Sequence, residues 1–567
     1  MSLVGKLGVS DAAGMQRDSD DGLMRKLLIG CGLFMLVALL LPVSMILVRS
    51  LQDANGVYVG LANYTSYFAK GSPWQSIRNS LLVSSVTTVI VVVLAFAYAY
   101  ALTRTTMRWR GFFRVMAMVP LLSPSLLKAI GLVYWFGNQG VLKSVLMGES
   151  IYGPIGIVMS CVLWTFPHAV IILMTALALA DSRLYEAATA LRTSGPRTFF
   201  RITLPAVRYG LIGAAIVVFV NVFTDFGAAK VIGGSYSVLA TDIYKEVVGQ
   251  QNFSMGAVVS VVLLIPAVLA FLLERFVASK QAAALGSRAV ALTPKPRRFI
   301  DGSLFVYCLL VTLFILAILG MAQFAALVKF WPYNLSMSLK HYTFDVQGVG
   351  WENFGNSLTL ALWVASVGTP LIFMGAYLTE KPRADKLGRS MLHAAALLPM
   401  AVPGLVLGLG TLLFINQPGN PLGVLYVGMT ILVLNTLGHL YTVPHLTAVT
   451  ALKQVDREFE AVGASLKVPM LSVLRRVTLP VCMPALLDIW IYLFLNAMTT
   501  LSAVIFLYGA DTKLASVAAI HLDEAGSTAS AAAMATLMVY ASLTVRLLHL
   551  GVSRLVLRRV QAWRISA

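Results

Sequence analysis

Charged side chains are scarce in this sequence: Asp, Glu, Lys and Arg make up 12% of its 567 residues, against about 25% in a soluble globular chain. With 58% hydrophobic residues, it has too little polar surface to cover a water-soluble core, which leaves the polytopic membrane class. Acidic residues are the rarer sign, 24 against 43 Lys and Arg, for a net charge of +19. That excess does not mark a nucleic-acid binder, because the basic residues sit in short gaps between long apolar runs. Cysteine is limited to Cys31, Cys161, Cys308 and Cys482, each in or beside an apolar segment and none in a Cys-x-x-Cys pair. They are expected to be buried, unpaired thiols, and no metal site or disulfide framework is implied. The only Gly-Lys pair is Gly5-Lys6, followed by Leu7, which excludes a Walker A phosphate loop. No cluster of His, Asp or Glu falls at one depth, which argues against a membrane enzyme.

Apolar runs are what the chain has in abundance. A helix needs about 20 apolar residues to cross the hydrocarbon. Twelve segments qualify, near 27–48, 80–102, 115–136, 152–180, 207–226, 254–274, 303–328, 356–378, 391–414, 424–450, 482–507 and 527–550. The first is too long for a signal peptide's apolar core and lacks a small-x-small cleavage site after it, so it is expected to stay as a span. With the N-terminus inside, the cytoplasmic segments hold 32 of the 43 Lys and Arg, a strong positive-inside asymmetry. Both termini are therefore expected in the cytoplasm. Residues 275–300, basic and broken by Pro294 and Pro296, separate two six-span halves as a cytoplasmic linker. The expected order is an N-tail (1–26), a first half (27–274), the linker (275–300), a second half (301–550) and a C-tail (551–567).

The halves are copies. Asn79-Ser80-Leu81 recurs as Asn356-Ser357-Leu358 and Tyr100 as Tyr377, at an offset of 277. Pro120 and Pro124 recur as Pro399 and Pro403 at 279, and Thr203-Leu204-Pro205 as Thr478-Leu479-Pro480 at 275. An even number of spans per half makes the repeat parallel, and two such halves can enclose a central pathway. Transport is thereby favoured over catalysis.

Each half carries one large loop between its fourth and fifth spans, 181–205 and 456–480, with 24 residues from Asp to Pro in both. Asp181 and Asp456 are placed to cap a first short helix, with small residues where another surface can approach. Gly195-Pro196 or Pro469 is expected to force the turn into a second, amphipathic helix that ends at Leu-Pro. These loops resemble the "EAA" coupling loops of binding-protein-dependent ABC importer permeases: Glu-Ala-Ala, a Gly about six residues on, and a later hydrophobic-x-Leu-Pro. The resemblance implies an all-α polytopic fold of twelve transmembrane helices, as two parallel six-helix type I (MetI-like) repeats. It also implies ATPase-coupling roles for Asp181, Glu186, Ala187, Ala188, Arg192 and Gly195, and for Asp456, Glu460, Ala461, Gly463 and Lys467. Arg192 and Lys467 stand where the family has glycine, and Glu460 lies one residue earlier than Glu186 relative to the Asp, so the two loops are expected to make similar but not identical contacts.

The same resemblance implies a bacterial inner-membrane protein that is not itself an enzyme. Its partners would be two ATP-binding subunits, which hold the ATP and Mg, a soluble extracytoplasmic solute-binding protein and the lipid bilayer, with no nucleic acid. The chain itself would carry no cofactor and no metal. Longer stretches resemble fused permeases assigned to 2-aminoethylphosphonate uptake: Phe136-Gly-Asn-Gln-Gly140, Thr224-Asp-Phe-Gly227, Trp331-Pro-Tyr-Asn-Leu-Ser336, the run from Leu397 to Gly410, and Asn496-Ala-Met-Thr-Thr500. They imply a phosphonate cargo; fused ferric-iron permeases share the double loop and supply the alternative. Ionisable or polar residues inside spans are pathway candidates by default: Lys128, Asn221, Thr224 and Asp225, with Asn496, Thr499 and Thr500 in the second half. His168, His393, His439 and Asp488 are read as polar packing residues, and Gly404-x-x-x-Gly408 as a close helix contact. Loops near 227–253 and 329–355 are expected to receive the binding protein. A twelve-span secondary transporter shares the parallel repeat but has no use for two matched loops.

Overall fold

The computed structural model describes residues 22–284, 292–344, 348–381, 385–456, 458–466 and 468–560. Lys467, residues 1–21 of the N-tail, 285–291 of the linker and 561–567 of the C-tail lie outside the described residues. Eight helices are long and apolar enough to cross a membrane, or eleven when each of three bent pairs counts as one span. The segment expected at 424–450 is two successive helices, Met429–Leu440 and Thr442–Lys453. One departure from an all-helical fold is a short antiparallel hairpin, Val328–Phe330 with Asn334–Met337, where Trp331-Pro332-Tyr333 reverses the chain.

Proline explains where the helices break. The third span of each half is bent, Arg110–Leu122 to Ser125–Phe136 by 100° and Lys386–Ala401 to Gly404–Ile415 by 112°. In each, the residue before a proline is driven out of the helical region: Ser123 has ψ 140° before Pro124, and Val402 has ψ 112° before Pro403. A gentler device precedes three Leu-Pro pairs. Leu41, Leu204 and Leu479 donate their N–H groups five residues back, to the carbonyls of Leu36, Phe199 and Leu474. The widened turn lets the helix run on past a proline that lacks a donor.

The chain forms two compact units that do not follow its sequence halves. One comprises residues 46–354 and 515–539, the other everything described up to 45, 355–514 and from 540 onward. In the first, Ser72–Arg104 packs along Pro154–Ala178 and Arg208–Phe223. The seventh span, Arg298–Leu327, lies on Ser125–Phe136, where Gly131 leaves no room for a Cβ against the Ile318 carbonyl and Trp135 Nε1 donates to Ala317 O at 2.8 Å. In the other unit, the first span packs on Met429–Leu440: a Cβ on Gly438 would stand 2.8 Å from Ala38 O. Each unit thus contains the opening span of the other half. A repeat records sequence similarity, whereas the units record which small-residue surfaces meet, and those surfaces pair across the repeat.

Gly408 also makes the expected close contact, its virtual Cβ 2.5 Å from Ala503 O. That oxygen already accepts from Asn435 Nδ2 at 2.7 Å, and Asn435 Oδ1 accepts from Thr411 Oγ1 at 2.8 Å. All four cysteines are buried and free. His393 and His445 share a ring-nitrogen contact of 3.2 Å within the same unit, in keeping with a packing role.

Candidate functional site

The loop 181–205 is a capped helix followed by a second one. Asp181 accepts from the Arg183 N–H at 3.1 Å and caps Ser182–Ala190. Glu186 and Ala187 are exposed, whereas Ala188 is buried. The helix ends at Arg192, not at Gly195. Arg192 has φ +49°, the left-handed region that glycine favours. Its N–H donates to Thr189 O at 3.0 Å and that of Thr193 to Ala188 O at 2.9 Å. This is the Schellman pattern that satisfies the last carbonyls of a helix. The arginine therefore stands in a conformation that glycine favours, and the expectation that neighbouring Gly195-Pro196 shapes the turn is corrected. Gly195 instead opens the following turn of helix, Gly195–Thr198, without a left-handed φ.

The loop 456–480 is built alike. Asp456 Oδ1 accepts from the Glu458 N–H at 3.0 Å at the start of Glu458–Ser465. At the far end Val468 donates to Gly463 O at 2.9 Å, the counterpart of the Thr193 bond. Gly463 takes the place of buried Ala188, and a Cβ there would meet Val473 Cγ2 at 2.8 Å. The small residues Ala188 and Gly463 thus face inward.

Glu460 is the larger correction. Counted from the Asp, it matches Tyr185, and Ala461 matches Glu186. Glu460 does not point outward like Glu186: its carboxylate lies 2.7 Å from Lys381 Nζ, whose side chain is 3% exposed. Lys381 also donates to Val455 O at 3.1 Å. In the first loop, Arg104 donates to Leu177 O at 2.6 Å and lies over the Tyr185 ring, 5.0 Å from its centroid. Tyr185 Oη in turn donates to Thr203 Oγ1 at 3.1 Å. Arg104 and Lys381 were not singled out from the sequence, although they sit at the same offset of 277 that relates Tyr100 to Tyr377. Both first helices present apolar side chains at the same register, beside the exposed Glu186 of the first. Leu184 and Phe459, three residues after each Asp, are both 51% exposed, and Leu191 and Leu466, ten after, are 79% and 70% exposed.

The pathway candidates are placed differently. Lys128 is buried, and its ammonium donates to Ser123 O at 2.7 Å and Pro124 O at 3.4 Å, carbonyls at the bend, the second of which also accepts from the Leu127 N–H at 3.2 Å. A cation at the end of a helical segment is the expected partner for such carbonyls. Asn221, Thr224 and Asp225 are half-buried at the end of Arg208–Phe223. Thr224 Oγ1 bonds Val220 O at 2.9 Å, and Asp225 Oδ2 accepts from the Ala228 N–H at 2.9 Å, at the start of Gly227–Ile232. Asn496, Thr499 and Thr500, each 275 further on, are half-buried at the end of Met470–Met498. Thr499 repeats the Thr224 bond, to Leu495 O at 3.1 Å, and Asn496 donates to Tyr492 O at 2.8 Å. In the unit of residues 46–354 and 515–539, Lys230 pairs with Glu524 at 2.6 Å and lies 4.5 Å from the Tyr244 ring. An open cavity of ≈560 Å³ beside the 329–355 loop is lined by Tyr134, Tyr152, Lys329, Trp331, His341 and Thr528, among others.

Residues 92–282 match the family described as binding-protein-dependent transport system inner membrane component. That stretch runs from the second span through the first loop to the sixth span. A putative ferric transport system permease protein FbpB 1 of Haemophilus influenzae is 27% identical over 492 residues, 81% of this chain and 76% of the relative. The ferric transport system permease protein FbpB of Actinobacillus pleuropneumoniae is 26% identical over 484 residues, 82% of this chain and 69% of the relative. The molybdenum transport system permease protein ModB of Azotobacter vinelandii is 30% identical over 164 residues, 28% of this chain and 73% of the relative.

Proposed function

Because the chain belongs to the family of binding-protein-dependent transport system inner membrane components, we propose that its two loops each grip one ATP-binding subunit of an ABC importer. Twelve spans in two halves form the translocation pathway, with both termini and both loops in the cytoplasm. ATP and Mg are held by the partner subunits, and this chain is a permease rather than an enzyme. A soluble binding protein delivers the cargo on the opposite face, against the 227–253 and 329–355 loops and the cavity beside Trp331 and His341.

The observation that carries this reading is the duplicated helix with an Asp cap, a six-to-one closing bond and exposed leucines at the same register, Leu191 and Leu466. A single exposed leucine would mean little; its repetition at the same register of two matched loops supports a docking surface. The test is co-purification with the ATP-binding subunits. Leu191→Asp with Leu466→Asp should strip those subunits from the complex while the permease still accumulates in the membrane. Retention at the wild-type ratio would sink the docking reading.

For cargo, the relatives that span both halves are named for ferric transport, and ferric iron is the reading they favour. The phosphonate reading rests on the stretches around Phe136–Gly140, Thr224–Gly227 and Asn496–Thr500. The cognate soluble binding protein separates them. Titrated with ferric citrate and with 2-aminoethylphosphonate, it should bind the iron and stimulate the ATPase of the assembled transporter only when iron-loaded. Binding of the phosphonate alone would reverse the assignment.

A further inference from the structure

In each half, three elements meet at one basic side chain: the end of the second span, the end of the fourth, and the coupling helix. Arg104 is the last residue of Ser72–Arg104, reaches Leu177 O near the end of Pro154–Ala178, and covers Tyr185 of the coupling helix. Lys381 follows Trp351–Glu380 directly, reaches Val455 O just beyond Thr442–Lys453, and pairs with Glu460 of the second coupling helix. The sites are equivalent in the repeat, yet the bonds differ. One is a guanidinium over an aromatic ring, the other an ion pair of a buried lysine with a half-buried glutamate.

We propose that Arg104 and Lys381 are positioning residues that tie each coupling helix to the spans, so that movement of the docked helix is passed into the membrane through these two joints, the second of them ionic and the first not. The proposal rests on the coupling-loop reading above. A coupling helix that is exposed on its docking side needs an anchor on its other side, or it would rock on its partner without moving the spans. Cations with two partners each are the anchors present. Desolvation makes the Lys381–Glu460 joint the more sensitive one: removing the Glu460 charge leaves Lys381, 3% exposed, without its counter-charge, whereas Glu460 keeps some solvent access. The cation–π joint tolerates more, because no second formal charge is left behind. Glu460 therefore acts through Lys381, unlike Glu186, which faces outward.

The experiment uses the whole transporter, permease with its ATP-binding subunits, in proteoliposomes with the binding protein. Uptake, ATP hydrolysis and retained subunits are measured together. Glu460→Gln is isosteric and keeps an acceptor for Lys381, so it tests the charge without emptying space. It and Lys381→Met should each lower uptake per ATP about tenfold, with subunit retention and the KM for ATP unchanged. The double variant should be no worse than either single one, the signature of a shared interaction. Grafting the first half's chemistry, Lys381→Arg with Glu460→Tyr, should bring uptake per ATP back to within about twofold of wild type. A merely structural role would not be rescued in this way. Wild-type uptake per ATP in Glu460→Gln, additive losses in the double variant, or failure of the graft would each overturn the joint. Loss of ATP-binding subunits from Glu460→Gln would also overturn it, by making Glu460 a docking contact. Failure of the docking reading has a different readout, the retention of subunits by Leu191→Asp with Leu466→Asp.

Discussion

Replacing Arg192 with glycine should stabilise the first coupling helix rather than loosen it. The residue closes that helix at φ +49°, where a side chain costs about 1–2 kcal/mol relative to glycine. Glycine's greater freedom in the open chain offsets roughly 0.5–1 kcal/mol of that gain. The net, about 0–1.5 kcal/mol with its centre at ~0.75 kcal/mol, corresponds at that centre to an about three- to fourfold slower local opening. The Thr193 amide reports it directly, because its bond to Ala188 O at 2.9 Å exists only while the turn is closed. Hydrogen–deuterium exchange of peptides covering 182–193, in nanodiscs, reads that rate. Arg192→Val should have the opposite sign, since a β-branched side chain is a poorer occupant of the left-handed region. Gly195→Ala serves as the control: a Cβ there meets nothing within 4 Å and the backbone is not left-handed. Faster exchange in Arg192→Gly, or a larger change in Gly195→Ala than in Arg192→Gly, would refute the argument and return the turn to Gly195.

Other expectations follow from contacts outside that turn. Gly408→Ala places a methyl 2.5 Å from Ala503 O, an oxygen held in place by Asn435, and should lower thermal stability by about 1–3 kcal/mol; an unchanged melting midpoint would show that the backbone there yields freely. Lys128→Met leaves the Ser123 and Pro124 carbonyls without their cation and should cost about 1–3 kcal/mol of stability. Should the variant melt like wild type but take up cargo with a weakened KM, Lys128 belongs to the pathway instead. Glu186→Lys reverses an outward charge on the first coupling helix and should cut uptake while leaving the melting midpoint within about 0.5 kcal/mol of wild type. Normal uptake would remove Glu186 from the docking contact.

Much of the architecture was legible because it follows from one-dimensional patterns. Apolar runs long enough to cross a bilayer must become helices, since no other open structure satisfies its backbone in lipid. Eight helices of spanning length, or eleven counting each bent pair as one, lie at the expected runs. The bends at Pro124 and Pro403 were not read from the sequence, because the residue before a proline is only disfavoured from the helix, and helices run on past the prolines after Leu41, Leu204 and Leu479. The Asp caps at 181 and 456 were legible, because a cap bonds within its own few residues. Reading the loops by their acidic residue went astray. Glu460 is close to Glu186 in spacing, but helical phase is fixed by the cap at Asp456, and one residue of offset turns a side chain by about 100°. That turns it from solvent onto Lys381.

The sequence by itself determined the membrane class and the Asp-capped starts of the two loops, because each depends on residues near one another in the chain. The tertiary structure decided which spans share a compact unit, which prolines bend a helix and which are passed, that Lys128 bonds carbonyls at a bend, that an arginine holds a left-handed turn, and that Arg104 and Lys381 meet Tyr185 and Glu460 of the two loops. Those contacts join residues as much as 81 positions apart within one half, Arg104 with Tyr185, and farther still across the repeat. The Arg104 and Lys381 contacts are encoded in no local pattern and exist only once the ends of separate spans have come together; the Lys128 and Arg192 bonds, by contrast, close within five residues.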